Sequence, residues 1–303
     1  MDRCVNLEAT LNYTNIANLP EPLVSALKYS DYDKVGDISV STLPLPPRIV
    51  QLTKRHSDEI TEDVSELIWR LIGSIGHKIL ERADTDNHLS EERLTMPCLG
   101  WVISGKPDLL GPDMVLSDYK FTSVWAIKDE KPDWVSQLNL YALLYRQHGF
   151  EAKAARIVAI LRDWSKLKAA REKEKDYPQV GVVVREVPLW SPRDQETFLS
   201  NRVVDHQMAE KWSDDQLPMC TPDERWRKPD VWAVKKRGNK RAMSLFSDQA
   251  EAECFVADNN NGAVLEIEHR PGQDVRCLSY CAVKSLCSYG RTLGQGGSDE
   301  TAP

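Results

Sequence analysis

Apolar residues at Val64, Leu67, Ile68, Leu71, Ile72, Ile75 and Ile79 recur at the spacing of one helix face and predict a helix over residues 57–84. Ser57 or Thr61 is placed to cap its start, and acids crowd its first turns. Residues 92–122 change pattern: short apolar runs broken by Gly and Pro predict a β-meander. A second helix is expected over residues 132–148, with Leu140, Leu143 and Leu144 inward. Gln137 and Tyr141, four residues apart, share a face of it. The apolar run 155–161 predicts a buried strand, and residues 181–190 predict another. Residues 191–213 form a polar helix with Pro192 at its first position. Ahead of these elements, residues 6–29 hold a short helix. Pro44, Pro46 and Pro47 make 41–48 an extended segment leading into the core.

The densest chemistry falls inside the meander. Asp118-Tyr119-Lys120 follows Asp108, and Gly111-Pro112-Asp113 between them is strong turn chemistry. Alternate strand residues share a face, so Asp118 and Lys120 project together and Tyr119 points away. A hairpin here brings two carboxylates and one ammonium to one end of a sheet. That arrangement suits a hard cation, Mg²⁺ or Mn²⁺, with a phosphodiester oxygen and an attacking water. His77 lies nearly opposite the apolar stripe of its helix. Alone it reads as a solvated surface histidine. The nearby Gly73 and Gly76 weaken a helix by about 1 kcal/mol each, which points instead to close approach of backbone, substrate or metal.

Composition narrows the classes. The chain has 303 residues, 41% of them hydrophobic, and nine Trp, enough for a folded core. A net charge of −7 argues against coating nucleic acid through bulk charge but leaves room for a local basic groove. No stretch nears the roughly 20 apolar residues that span a bilayer, and the start lacks an apolar signal region. A cytoplasmic protein with no membrane contact is expected. In that compartment the seven cysteines are reduced or metal-bound. Cys277, Cys281 and Cys287 can wrap a zinc ion or a [4Fe–4S] cluster, which needs a fourth ligand, Cys220 in first place. The alternative is three reduced thiols in a small core. Residues 225–241 carry eight basic residues and one acid, with Trp226 and Trp232 interleaved. They suit single-stranded or frayed nucleic acid, or else a solvated strand pair with core tryptophans. Lys106, Arg162, Lys166 and Lys168 are candidate phosphate contacts. The expected layout is an N-terminal extension (1–56), a core (57–215), a basic and cysteine-bearing region packed on it (216–290), and a disordered tail (291–303).

Pro107-Asp108, Asp118-x-Lys120-x-Thr122, the helical 76–81 segment around His77, and Gln137-x-x-x-Tyr141 together resemble the PD-(D/E)xK nuclease superfamily, in its RecB/Cas4-like phage exonuclease branch. The resemblance implies a mixed α/β, restriction-endonuclease-like fold: a central mixed sheet flanked by helices, with a cysteine-containing C-terminal segment. It implies a Mg²⁺- or Mn²⁺-dependent DNA exonuclease in phage or mobile-element recombination or repair, working in the host cytoplasm. Asp108, Asp118, Lys120, Gln137 and Tyr141 would be catalytic. His77, Asp108, Asp118 and the Tyr119 carbonyl would hold the ion. Cys4 becomes a second choice for the fourth cysteine ligand. A single-strand annealing protein and self-association are the partners such nucleases imply. The other reading is a non-catalytic nucleic-acid-binding module with a structural metal centre.

Overall fold

The computed structural model describes residues 11–29, 35–83, 87–171, 177–259 and 264–293. The chain opens with β1 (Asn12–Thr14), α1 (Glu21–Lys28), β2 (Ile38–Ser39), α2 (Pro47–Arg55), β3 (Thr61–Asp63) and α3 (Ile68–Arg82). The middle holds β4 (Leu89–Ser90), β5 (Leu94–Cys98), β6 (Trp101–Gly105), β7 (Leu109–Leu110), β8 (Val115–Thr122), α4 (Pro132–Gln147) and β9 (Ala154–Leu161). It continues through α5 (Lys166–Arg171), β10 (Val182–Val187) and α6 (Pro192–Lys211). The last part has β11 (Arg227–Lys228), β12 (Val231–Lys236), β13 (Ser244–Phe246), α7 (Gln249–Asp258), β14 (Leu265–Arg270), β15 (Gln273–Asp274), α8 (Val275–Ser279) and α9 (Ser288–Thr292).

The central sheet runs β10-β9-β8-β7-β4. β8 and β9 are parallel, which requires a crossover, and α4 supplies it. The other neighbours are antiparallel, so the sheet is mixed as expected. Leu138, Leu140, Leu143 and Leu144 of α4 are fully buried with Leu116 and Ile157, making this helix the middle of the main core. Burying each such side chain contributes about 1.5–3 kcal/mol, so α4 fixes where its polar residues can reach.

The meander is divided between two sheets. β5 and β6 pair as a hairpin in the sheet β2-β6-β5, while β7 and β8 belong to the central sheet. The break falls at Lys106-Pro107, where proline offers no N–H to a ladder. The hairpin at Gly111-Pro112-Asp113 is present, closed by Gly111 N–H to Val115 O and Met114 N–H to Gly111 O.

Two local expectations are corrected. The helix over 57–84 begins only at Ile68, after β3 and a 3-10 turn at Val64–Leu67. Thr61–Asp63 pairs in parallel with the distant β1 instead of coiling, and Asp63, not Ser57 or Thr61, caps the turn by accepting Ser65 N–H. Val64 and Leu67 are buried, but Ile75 and Ile79 are exposed. Residues 41–48 are not wholly extended either. They turn, and Pro47 opens α2 at its first position, where its missing donor costs nothing. The glycines of α3 differ from each other. A Cβ on Gly76 would sit 1.9 Å from the Phe121 ring, whereas one on Gly73 meets open space. Gly76 is therefore what lets α3 lie against β8.

β12 lies between β13 and β14, with α7 packed on that sheet. Two members of the basic stretch are neutralised from β14: Lys235 by Glu268 at 2.6 Å and Arg237 by Glu266 at 3.4 Å. Trp232 packs on His269, 4.9 Å between centroids. These contacts fit the solvated strand pair, although Trp226 is exposed rather than in a core. α9 runs to Thr292, so the ordered chain passes the expected tail boundary at 291. Residues 294–303 and Cys4 lie outside the described residues.

Candidate functional site

Strand alternation has the predicted result in β8. Asp118 and Lys120 project together, with Lys120 Nζ 2.7 Å from Asp118 Oδ2. On the neighbouring α4 turn, Gln137 Oε1 accepts from Lys120 Nζ at 3.0 Å, and Gln137 Nε2 donates to Tyr141 Oη at 3.1 Å. The ammonium is thus held between a strand and a helix. Tyr119 enters through its backbone, its N–H donating to Asp108 Oδ2 at 2.6 Å. From the other side of the sheet, His77 packs edge-on to Phe121 and sets Nδ1 3.5 Å from Asp108 Oδ1.

A residue that the motifs did not reveal completes the cluster. Glu91 Oε1 lies 3.5 Å from His77 Nδ1, and its Oε2 lies 2.6 Å from Lys106 Nζ. One donor atom each from His77, Glu91 and Asp108 falls within 4.8 Å of the others. Glu91 adopts a left-handed backbone, φ 53°, unusual for a side-chain-bearing residue, and its N–H is anchored to the carbonyls of Pro107 and Asp108. The only trace in the sequence is the acid pair Glu91-Glu92 just ahead of β5. Lys106, expected at phosphate, is an ion-pair partner of this cluster.

The electrostatics describe three carboxylates crowded beside two ammonium groups and an imidazole. Burial, and then the charge of Asp118, push Asp108 up to about 7. Glu91 raises His77. Burial opposes ionisation of Glu91 too, but His77 and Lys106 outweigh it and hold it below its usual range. Asp118 Oδ2 is buried and receives no hydrogen bond of good geometry. Oxygen donors, one imidazole and an under-satisfied buried carboxylate fit a hard divalent ion.

An apo-state prediction follows from Asp108. A carboxyl whose folded-state pKa exceeds its unfolded value favours folding while protonated, and that advantage is lost as pH rises from ~4 to about 7. Asp108→Asn keeps an acceptor for Tyr119 N–H without the charge. In metal-free buffer at pH ~8 it should raise the melting temperature by about 2–6 °C, and near pH ~4 by much less. Calorimetry at the two pH values checks this. A variant less stable than the parent at pH ~8 would contradict the assignment of strain to the buried charge.

Four cysteines converge on a second pocket. Cys220, Cys277, Cys281 and Cys287 line it together with Arg48 and Val283. Burial raises Cys220 to about 12, with Glu224 and then the other three thiols adding to it. Cys277 and Cys281 are also raised by burial. Cys287 goes the other way: burial opposes ionisation, but Gly290 N–H and Arg48 prevail. Arg48, itself buried, donates Nε to Cys287 Sγ at 3.1 Å. Arg225, Arg276 and Lys284 complete a cationic lining. Four thiols converging on one pocket lined by Arg48, Arg225, Arg276 and Lys284 fit an anionic metal–thiolate group. Of the remaining cysteines, Cys98 borders the main core and Cys254 is exposed.

Three other predicted phosphate contacts are exposed, but two are already engaged: Arg162 stacks over Trp69 at 4.0 Å and Lys168 over Tyr177 at 4.8 Å. Lys166 is exposed at the start of α5. Among the described residues no helix is long and apolar enough to cross a membrane.

No curated protein matches the chain. The crystal structure of SSO0001 superposes with a TM-score of 0.44 at 19% identity, covering 63% of this chain and 86% of that one. So loose a likeness transfers nothing here. The family model of the PD-(D/E)XK nuclease superfamily matches residues 46–288, which include both acids of β7–β8, the lysine, and the four C-terminal cysteines. On that match, spanning most of its length, the chain belongs to the PD-(D/E)XK nuclease superfamily.

Proposed function

We propose that the chain is a Mg²⁺- or Mn²⁺-dependent DNA exonuclease serving phage or mobile-element recombination or repair. The observation that carries this reading is the convergence of Asp108, Glu91 and His77 beside the Asp118–Lys120 pair. His77, Glu91 and Asp108 would hold the ion, with Asp118 and the Tyr119 carbonyl on its inner side. A divalent ion bound there neutralises phosphate charge and lowers the pKa of water. Lys120 is kept rigid by Gln137 and Asp118. It would orient the attacking water and stabilise the charge that develops on the phosphate oxygens. Tyr141 holds Gln137, and so acts through it. The buried, costly pairing of Asp108 and Asp118 supports catalysis over a passive binding module, which needs neither.

The test uses end-labelled linear DNA, single- and double-stranded, beside a closed circle. With Mg²⁺ or Mn²⁺ the linear forms should be degraded, while EDTA stops the reaction and the circle survives. A nicked circle would make the enzyme an endonuclease, and intact linear DNA under every metal would remove the nuclease assignment.

For the cysteine pocket we favour [4Fe–4S] over zinc. Four thiolates can ligate either group, and the basic side chains Arg48, Arg225, Arg276 and Lys284 that line the pocket suit an anionic cluster. The centre would staple the C-terminal segment to the core, with no redox step in the reaction.

A further inference from the structure

Two tryptophans stand in solvent at the end of β8 and play no part in the chemistry above. Trp69, on the first turn of α3, is 50% exposed, and Trp125, just past β8, is 67% exposed. An indole left this open forgoes the burial that usually justifies its size. Each ring instead carries a cation: Arg162 lies 4.0 Å from the Trp69 centroid, and Lys128 Nζ lies 4.1 Å from that of Trp125. One short segment connects them. Arg162 N–H donates to Thr122 O, and Asp163 Oδ1 accepts from Val124 N–H beside Trp125. Thr122 is two residues, about 7 Å, beyond Lys120 along the strand. Trp69 is eight residues, about 12 Å, before His77 along α3. The pairs therefore lie next to the metal cluster along both elements that build it.

We propose that Trp69–Arg162 and Trp125–Lys128 form a base-stacking subsite for unpaired nucleotides of the strand being cut. Resting on the nuclease reading, this names the form of DNA that the site accepts. A guanidinium covers one face of Trp69 and leaves the other to a base, while the cations meet the phosphates on either side. Stacking of this kind takes any base and requires it to be unpaired, because in a duplex the faces are already stacked. The enzyme accordingly draws in a single strand or a frayed end, and duplex DNA is bound less tightly in this region.

The experiment measures binding by fluorescence anisotropy with Ca²⁺ replacing Mg²⁺, using labelled oligothymidylate and a blunt duplex of equal length. Trp69→Ala should weaken oligothymidylate binding about tenfold and duplex binding by less than about twofold, with Trp69→Phe retaining most of the affinity. Trp125→Ala should act in the same direction, which keeps the test open if one variant folds poorly. Equal loss on both DNA forms, or no loss on oligothymidylate, overturns the subsite. So does self-association of the parent chain that Trp69→Ala abolishes without affecting DNA, since the face would then belong to a second copy. Cleavage of linear DNA by the parent chain with Mg²⁺ is measured alongside. Its absence removes the nuclease reading, whereas cleavage with unchanged Trp69→Ala binding removes the subsite alone.

Discussion

Lys120→Ala should lower single-turnover DNA hydrolysis at saturating Mg²⁺ by at least about 10²–10³-fold, the scale of removing one preorganised charge from a reacting centre. The structure makes this residue hard to replace. Its ammonium is fixed by Asp118 from the same strand and by Gln137 from α4, so no neighbouring cation can swing into its place without losing its own partners. The variant also leaves Asp118, 2% exposed, without its counter-charge. A buried carboxylate stripped of its partner destabilises a protein. The metal-free variant should therefore melt below the parent chain and recover part of the difference on adding Mn²⁺. Lys120→Arg separates the two effects. It restores charge beside Asp118, but a planar fork cannot reproduce the position of a point ammonium, so stability should return and the rate should not. Turnover of Lys120→Ala within about tenfold of the parent would show that the lysine is only structural.

Cys281→Ser should be the most destabilising single change in the C-terminal segment. Loss of one of the four proposed ligands would release the proposed centre, whose binding free energy would be part of the folding free energy. Purified anaerobically, the parent should carry iron and sulfide in near-equal amounts with visible charge-transfer absorbance, and the variant should lack both. Its melting temperature should fall by at least about 10 °C. Cys281 and Cys287 pack with Val283, Leu286, Leu52 of α2 and Ala209 of α6 in one secondary core, so loss of a metal held there would loosen two helices. Zinc without iron in the parent chain would overturn the cluster assignment and leave the staple. A metal-free parent with an unchanged melting temperature in Cys281→Ser would leave only packed thiols.

What could be read in the sequence was what local geometry decides. Asp118 and Lys120 share a face because strands alternate, and Gln137 and Tyr141 meet because helices repeat near four; both relations are found. The hairpin between β7 and β8 followed from its Gly-Pro-Asp turn. Glu91 was hidden because it reaches the cluster through a left-handed turn ahead of β5, where nothing local specifies its direction. The false start of α3 has a similar origin. Residues 61–63 follow a helical pattern, yet they pair with residues 12–14, and a partner nearly fifty positions away overrides local preference. The basic stretch left two readings open for the same reason, since the acids that pair with Lys235 and Arg237 come from β14.

Arg48 gives the fold a timetable. Its guanidinium, at the start of α2, reaches Leu217 O, Cys287 Sγ and Ser288 Oγ, so an early helix is tied to segments made some 170 and 240 positions later. During synthesis a buried positive charge must wait, solvated, while α4 and its sheet assemble around their own local contacts. Until residue 288 has left the ribosome, the nascent chain can hold a complete catalytic hairpin on a body whose first and last layers have not yet met.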